Sequence, residues 1–252
     1  MLSAGAGIKG QTMKNIKQGV LLAAVMVAAI ATTAAAAEPQ QAQTAPNADN
    51  GKCSGGASIP WDAQIASCTA AINSGKFSGA DLAAIFNSRG TAYRAKDDLD
   101  QALSDYNKAI ELDPKFSLAY GNRGLLYWDK GDSDLALADT SKAIELDPAD
   151  FRSYSGRGLV YQDKGDLDAA LRDYSKAVEL NPKDADDYFN RGTIFQLKGD
   201  LDSALADLNK AIDLNPSDGA AYRKRGIIYD AKDDNQHALA DYRTADKLEL
   251  KR

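Results

Sequence analysis

Residues 117–150 read SLAYGNRGLLYWDKGDSDLALADTSKAIELDPAD, and the next stretch, 151–184, reads FRSYSGRGLVYQDKGDLDAALRDYSKAVELNPKD. The two stretches share residue types in the same order. Outward from them, an Arg-Gly dipeptide recurs every 34 residues, at Arg89-Gly90, Arg123-Gly124, Arg157-Gly158, Arg191-Gly192 and Arg225-Gly226. A proline recurs at the same step, at Pro114, Pro148, Pro182 and Pro216. A fixed period of this length indicates one supersecondary unit per repeat, stacked so that neighbours bury a continuous core.

Each unit contains two helical patterns of small and large residues. The first half carries an aromatic, a glycine and an aromatic at steps of four and three, as in Tyr188, Gly192 and Phe195. The second half carries alanine, a large residue and alanine at the same steps, as in residues 170–177, ALRDYSKA. These spacings place each set on one face of a helix. The sequence therefore predicts an all-α chain in which the small residues let paired helices approach closely.

Acidic residues also recur with the period. One aspartate stands just before each second helix, where it can cap free N–H groups, at Asp98, Asp132, Asp166, Asp200 and Asp234. Another lies inside each second helix, at Asp105, Asp139, Asp173, Asp207 and Asp241. A fivefold aspartate beside a fivefold arginine predicts a ladder of ion pairs that holds the helices together. A track of arginines for an anionic ligand is the alternative interpretation.

The whole pattern resembles the tetratricopeptide-repeat (TPR) family. The family signature, W-x2-L-G-x2-Y…A-x3-F…A…P, is met in one unit by Tyr120, Gly124, Tyr127, Ala136, Ala143 and Pro148. The resemblance implies an all-α solenoid, a right-handed superhelix of helix-turn-helix repeats. Five full repeats are expected, at 83–116, 117–150, 151–184, 185–218 and 219–252. Residues 53–82 are expected to hold an N-terminal cap and the second helix of a degenerate sixth unit.

The resemblance also implies a binding groove lined by the first helix of each repeat. In such folds the second, fifth, ninth and twelfth positions of that helix point into the groove. Apolar residues occupy the centre of this strip, at Leu118, Leu125, Trp128, Leu159 and Phe189, and arginines flank it, at Arg94, Arg152 and Arg223. We call these eight residues the candidate binding face. They predict a peptide or short helix with an apolar anchor and some acidic character as ligand. The alternative is that Trp128 and Phe189 pack against neighbouring repeats.

The N-terminus differs in composition from the repeats. Residues 20–37 read VLLAAVMVAAIATTAAAA, and Lys9, Lys14 and Lys17 precede them without any acid. This pattern predicts that residues 1–37 are a secretory signal cleaved before Glu38, which places the protein in the periplasm or outside the cell. The alternative is an uncleaved anchor in the inner membrane. Residues 38–52, rich in Pro, Gln, Ala and Asn, are expected to form a flexible linker.

Charge and cysteine content narrow the partners. Removing residues 1–37 takes three of the 30 basic residues and none of the 36 acidic ones, so the net charge changes from −6 to −9. An acidic chain of this kind argues against nucleic acid or an anionic membrane surface as partner. Cys53 and Cys68 are the only cysteines. In an exported chain they predict one disulfide, with two free thiols as the alternative.

The sequence offers little for catalysis. The only histidine is His237, in the second helix of the last repeat, and no phosphate-binding loop or metal-binding cysteine motif occurs. We therefore expect a non-catalytic scaffold that binds a protein or peptide and has no metal, catalytic residue or cofactor. The rival interpretation is a self-assembling structural protein of the cell envelope. Weak self-association would then use the C-terminal repeat, where Ala238, Leu239 and Tyr242 are expected to be partly open.

Overall fold

The computed structural model describes Cys53 and residues 59–250, so the predicted signal segment and linker lie outside the described residues. Eleven helices and no strands occur in this part of the chain. They are α1 (Trp61–Asn73), α2 (Gly79–Ala95), α3 (Leu99–Leu112), α4 (Ser117–Asp129), α5 (Ser133–Leu146), α6 (Phe151–Asp163), α7 (Leu167–Leu180), α8 (Ala185–Leu197), α9 (Leu201–Leu214), α10 (Gly219–Ala231) and α11 (Asn235–Glu249). The predicted all-α fold is confirmed.

The helices α2 to α11 form five consecutive antiparallel pairs, and α1 precedes them alone. Within a pair the two helices share their most extensive contact, and each second helix also packs on the first helix of the next pair. First helices of neighbouring pairs touch one another as well, as α4 and α6 do. Because each pair contacts only its neighbours, the described chain is a solenoid of five repeats preceded by half a repeat.

Small residues set the distance between paired helices. In each repeat, the two alanines that recur in the second helix, seven residues apart, are at most 2% exposed. Gly124 of α4 lies so close to α5 that an added Cβ would come within 2.7 Å of the Thr140 Cγ2 atom. Large side chains such as Tyr106 and Tyr174 fill the remaining space and are fully buried. Burial of these side chains supplies the main stabilisation of each unit.

The turn inside each repeat adopts the same left-handed backbone conformation. Gly131, Gly165 and Gly199 have φ angles of 82°, 78° and 82°, and aspartates stand at the equivalent positions of the first and last repeats, Asp97 (φ 63°) and Asp233 (φ 61°). Glycine adopts this conformation without the steric cost that a Cβ brings. The outer two repeats therefore carry strain that the inner three avoid.

The predicted helix caps are present in four of the five repeats. The carboxylates of Asp98, Asp166, Asp200 and Asp234 each accept a hydrogen bond from the backbone N–H three residues later. The carboxylate of Asp132 makes no such bond, so the prediction was wrong there, and nothing in the structure explains the difference. A side-chain cap of this kind contributes about 1 kcal/mol.

The helix α1 makes the contacts that second helices make elsewhere in the chain. Its Thr69 accepts a hydrogen bond from Arg89 Nη1 at 3.0 Å, as Asn107 of α3 does from Arg123 at 2.7 Å. Its Asp62 forms an ion pair with Lys96 of the next repeat. A disulfide joins Cys53 to Cys68, and both cysteines are completely buried.

The disulfide ties the segment before α1 to the contact between α1 and α2. Cys53 and Cys68 pack against Ala71 of α1 and Ile85 of α2. The side chain of Gln64 donates hydrogen bonds to the carbonyl oxygens of Cys53, at 3.3 Å, and Ser88, at 3.2 Å. The disulfide thus holds a polar and an apolar contact together at the N-terminal end of the stack.

Candidate functional site

Each of the five repeats has one arginine–aspartate ion pair, which joins its first helix to its second helix. In every pair the arginine Nε and Nη2 atoms donate to the two carboxylate oxygens at 2.6–2.9 Å. The pairs are Arg89–Asp105, Arg123–Asp139, Arg157–Asp173, Arg191–Asp207 and Arg225–Asp241. The hydrogen bonds to these carboxylates raise the pKa of each arginine. The predicted ladder is therefore present.

The remaining surfaces of these guanidinium groups are also occupied. Each lies 5.4–6.0 Å from the centroids of two aromatic rings of its own helix, for example Tyr154 and Tyr161 around Arg157. In four repeats the Nη1 atom donates to a polar side chain on the second helix of the preceding unit. Arginines held on three sides are structural, which disfavours the alternative of an anion-binding track.

The apolar residues of the candidate binding face divide their surface between packing and solvent. Leu118, Leu125, Trp128, Leu159 and Phe189 are all half-buried. Leu125 contacts the next first helix at Gly156, where an added Cβ would lie 3.2 Å from its Cδ2 atom. Leu159 packs against the core between α7 and α8, and Phe189 packs against the core between α9 and α10. All five apolar residues therefore keep only part of their surface open, on the consecutive first helices α4, α6 and α8.

The three arginines of the candidate binding face all have acidic partners within the chain. Arg94 donates to both carboxylate oxygens of Asp129, at 2.5 and 3.2 Å. Arg152 lies 3.8 Å from the Asp150 carboxylate and stacks on its neighbour Phe151.

Arg223 binds the carboxylates of Asp246, at 2.9 Å, and Glu249, at 2.8 Å, on α11. These hydrogen bonds, that to Asp246 first, raise the pKa of Arg223. A ligand carboxylate would have to compete with these internal partners for all three arginines.

The sequence analysis did not predict two charged groups close to the candidate binding face, the half-buried Lys224 and the buried Asp187. Lys224 of α10 is half-buried, and its Nζ atom lies 5.8 Å from the Phe189 ring centroid. Desolvation lowers the pKa of Lys224. Asp187 of α8 is buried and accepts a hydrogen bond from Ser155 Oγ on Oδ1 at 2.5 Å, while its Oδ2 accepts none within the described part of the chain.

A comparison of equivalent positions across the repeats could have found both groups. The positions equivalent to Lys224 hold uncharged residues, at Ser88, Asn122, Gly156 and Asn190. Those equivalent to Asp187 are apolar or small, at Ile85, Ala119, Ser153 and Ala221. A single charge in an otherwise uncharged set is the signal that a search for the shared pattern passes over.

The geometry around the only histidine is that of a helix cap. His237 Nδ1 lies 2.7 Å from the Asp234 carboxylate at the exposed start of α11, and its ring lies 5.1 Å from that of Tyr229. The hydrogen bond from His237 lowers the pKa of Asp234.

Within residues 59–250, no helix combines the length and apolarity needed to cross a membrane. The alternative of an N-terminal anchor falls on residues outside this range.

Comparisons with known proteins place these features in a family. A TPR-repeat model matches residues 90–131, and a tetratricopeptide-repeat model matches residues 117–150, 151–184 and 185–218. No curated protein sequence matches significantly.

Solved structures give the same fold. The crystal structure of MamA shares 27% identity over 64% of this chain and 95% of its own, with a TM-score of 0.57. YrrB, described as a TPR protein with an unusual peptide-binding site, shares 26% over 73% of this chain and 92% of its own, with a TM-score of 0.55. A tetratricopeptide repeat protein from Parabacteroides merdae shares 25% over 72% and 70%, with a TM-score of 0.57. The chain therefore belongs to the tetratricopeptide-repeat family.

Proposed function

We propose that this protein is a non-catalytic scaffold that holds a peptide or short helix of a partner protein on the candidate binding face. The TPR fold is a protein-interaction scaffold, which sets the general role. The observation that carries the finer proposal is the strip of half-buried apolar side chains along the consecutive first helices α4, α6 and α8. An apolar strip interrupted by few charges suits an apolar anchor residue of a partner.

We further propose that the scaffold works in the periplasm or outside the cell. Two observations support this location. The Cys53–Cys68 disulfide is of a kind that persists in oxidising compartments. The first 37 residues have the basic, apolar and small-residue order of a secretory signal. N-terminal sequencing of protein recovered from the periplasmic fraction tests the proposal, with Glu38 as the expected first residue.

Crosslinking in intact cells tests the binding face. A photoreactive residue at position 128 or 159, followed by mass spectrometry, is expected to capture one partner, while the same residue at position 61 on α1 is not. Trp128→Ala should then weaken capture by about 30-fold or more, the effect of losing an aromatic anchor worth roughly 2 kcal/mol. Trp61→Ala is the matched control, since Trp61 is also partly exposed but lies outside the first helices. Unchanged capture by Trp128→Ala with unchanged helicity would defeat the assignment.

Self-association remains the second candidate because two large apolar side chains are exposed at the C-terminal end of the described residues. Leu239 of α11 is 50% exposed, and Leu250, which follows α11, is 88% exposed. Ala238 is only 1% exposed, and Tyr242 is half-buried with its hydroxyl donating to Asp230 at 2.6 Å, so the open surface is smaller than expected. Light scattering on the mature chain at micromolar concentration decides the matter. A monomer removes this candidate, whereas a dimer that Leu239→Glu dissociates supports it.

A further inference from the structure

Lys224 differs from every other positive side chain in the described residues. The other half-buried lysines and arginines each have a carboxylate within 4.0 Å. The other lysines and arginines without such a partner are exposed, at Lys76, Lys115, Arg172, Lys183, Lys210, Arg243 and Lys247. Across Cys53 and residues 59–250, Lys224 alone is a half-buried cation with no carboxylate in ion-pair range.

Apolar side chains are among the neighbours of Lys224. Its ammonium group lies 5.8 Å from the ring centroid of Phe189, a member of the candidate binding face. On its own helix, Ala220 and Ile227 stand one turn to either side, and both are exposed. Residues spaced by three and four share one face of a helix. The ammonium group of Lys224 therefore lies near the Phe189 ring, and Ile227, which is 44% exposed, lies on the same face of the helix.

An unpaired, partly desolvated ammonium group is costly in the free protein. Removing a charge from water without a partner disfavours the charged form, and desolvation is the cause that lowers the Lys224 pKa. Attraction to the Phe189 ring offsets part of this cost. A carboxylate would offset more, because a charge-assisted hydrogen bond gains strength where water is partly excluded. The three arginines of the candidate binding face already have such partners.

We propose that Lys224 is a binding site for a carboxylate of the partner segment, with Ile227 and Phe189 contacting an apolar side chain next to that carboxylate. This inference rests on the proposed function and names the chemistry of its ligand. The carboxylate comes either from the C-terminus of the partner or from an Asp or Glu side chain. The alternative is that Lys224 only lays its aliphatic stem on Phe189 and uses the ring as its partner.

Binding to defined peptides tests the site. Ten-residue random peptide libraries, one with free and one with amidated C-termini, are screened against the wild-type mature chain, and the best peptides are measured in solution. Lys224→Gln should lose about tenfold or more of the affinity. Lys224→Arg should keep most of it. Lys210→Gln is the matched control, since Lys210 of α9 also lacks a carboxylate but is exposed.

The outcomes separate the two sources and the two proposals. Loss of binding on amidation assigns the site to a C-terminal carboxylate, and loss on replacing Asp or Glu of the peptide by Asn or Gln assigns it to a side chain. Equal affinity of wild type and Lys224→Gln, with binding still weakened by Trp128→Ala, overturns the lysine site and leaves the proposed function intact. If no peptide binds the wild-type chain, both proposals fail. As a second readout, the NMR-measured pKa of Lys224 should rise when the best peptide is bound.

Discussion

Replacing Asp187 by Asn is expected to stabilise the protein at pH 8 far more than at pH 4.5. The carboxyl group is buried where α8 meets Ser155 of α6. The pKa of Asp187 is raised to about 7, chiefly by burial and to a smaller extent by the charges of Asp184 and Asp186. The hydrogen bond from Ser155 and the charge of Arg191 act in the opposite direction. The protonated acid is thus the form that the folded protein favours.

The direction and size of the pH effect follow from the two pKa values. The ordinary pKa of this group is 3.8, so the folded state binds the proton more tightly than the unfolded state does. The stabilisation by the bound proton is therefore fully present below pH 3.8 and is lost as the pH rises to about 7. Since a tenfold change in a binding constant corresponds to about 1.4 kcal/mol, the loss between pH 4.5 and pH 8 is about 3 kcal/mol.

Urea unfolding followed by circular dichroism measures this effect. The free energy of unfolding is compared for wild type and Asp187→Asn at both pH values, so that contributions from other groups cancel. The difference should grow by about 3 kcal/mol from pH 4.5 to pH 8. Asp213→Asn, at an exposed position on α9, is the control and should show no such growth. A pH-independent difference, with the Asp187 carboxyl titrating near pH 4 by NMR, would refute the reasoning.

Three further changes test the packing of the repeats. Arg157→Met should lower the free energy of unfolding by about 3 kcal/mol, because it leaves the buried Asp173 carboxylate without its partner. The control, Arg172→Met at an exposed position, should lower it by less than about 0.5 kcal/mol. Equal losses in urea unfolding would contradict the structural role of the ladder. Asp233→Gly should raise the free energy of unfolding, measured by thermal melting, by about 0.5–1 kcal/mol, since its φ of 61° suits glycine; a decrease would show that its side chain matters more than its backbone. Reducing the Cys53–Cys68 disulfide should cost about 3 kcal/mol, and an unchanged urea midpoint with dithiothreitol would argue against that constraint.

Sequence reasoning succeeded where the repeats agree. The five arginine–aspartate pairs, the buried alanines and the turn before each second helix recur at one step, so each position was in effect observed five times. The disulfide also followed from composition, because only two cysteines exist. The ion pairs, the buried alanines and the turns each depend on residues close together in one repeat, and the 34-residue period keeps their spacing the same in every repeat.

The candidate binding face was harder to predict because exposure depends on the neighbouring helix. Trp128 and Phe189 keep the predicted helical positions, yet each loses part of its surface to packing. Arg223 was expected to face a ligand and instead binds α11, whose side chains the period does not determine. Lys224 and Asp187 were missed since each is charged at one repeat only. Their burial depends on contacts across repeats, which no local pattern encodes.

The constant separations of the ladder contacts bear on how this protein can change length. Arginine and aspartate lie 16 residues apart in each unit. Four of the lysine–aspartate pairs that join units, such as Lys198–Asp168, lie 30 residues apart, and the pair at the N-terminal end, Lys96–Asp62, lies 34 apart. Excision of residues 151–184 would bring Lys198 to Asp134 and leave the Arg191–Asp207 pair whole. Asp187, in contrast, would lose Ser155 and face Gly121. Gain or loss of an entire repeat therefore conserves the ion pairs that recur in every repeat and disturbs only contacts made by one repeat, such as Asp187 with Ser155. We infer that evolution can change the number of repeats more easily than the contacts peculiar to one of them.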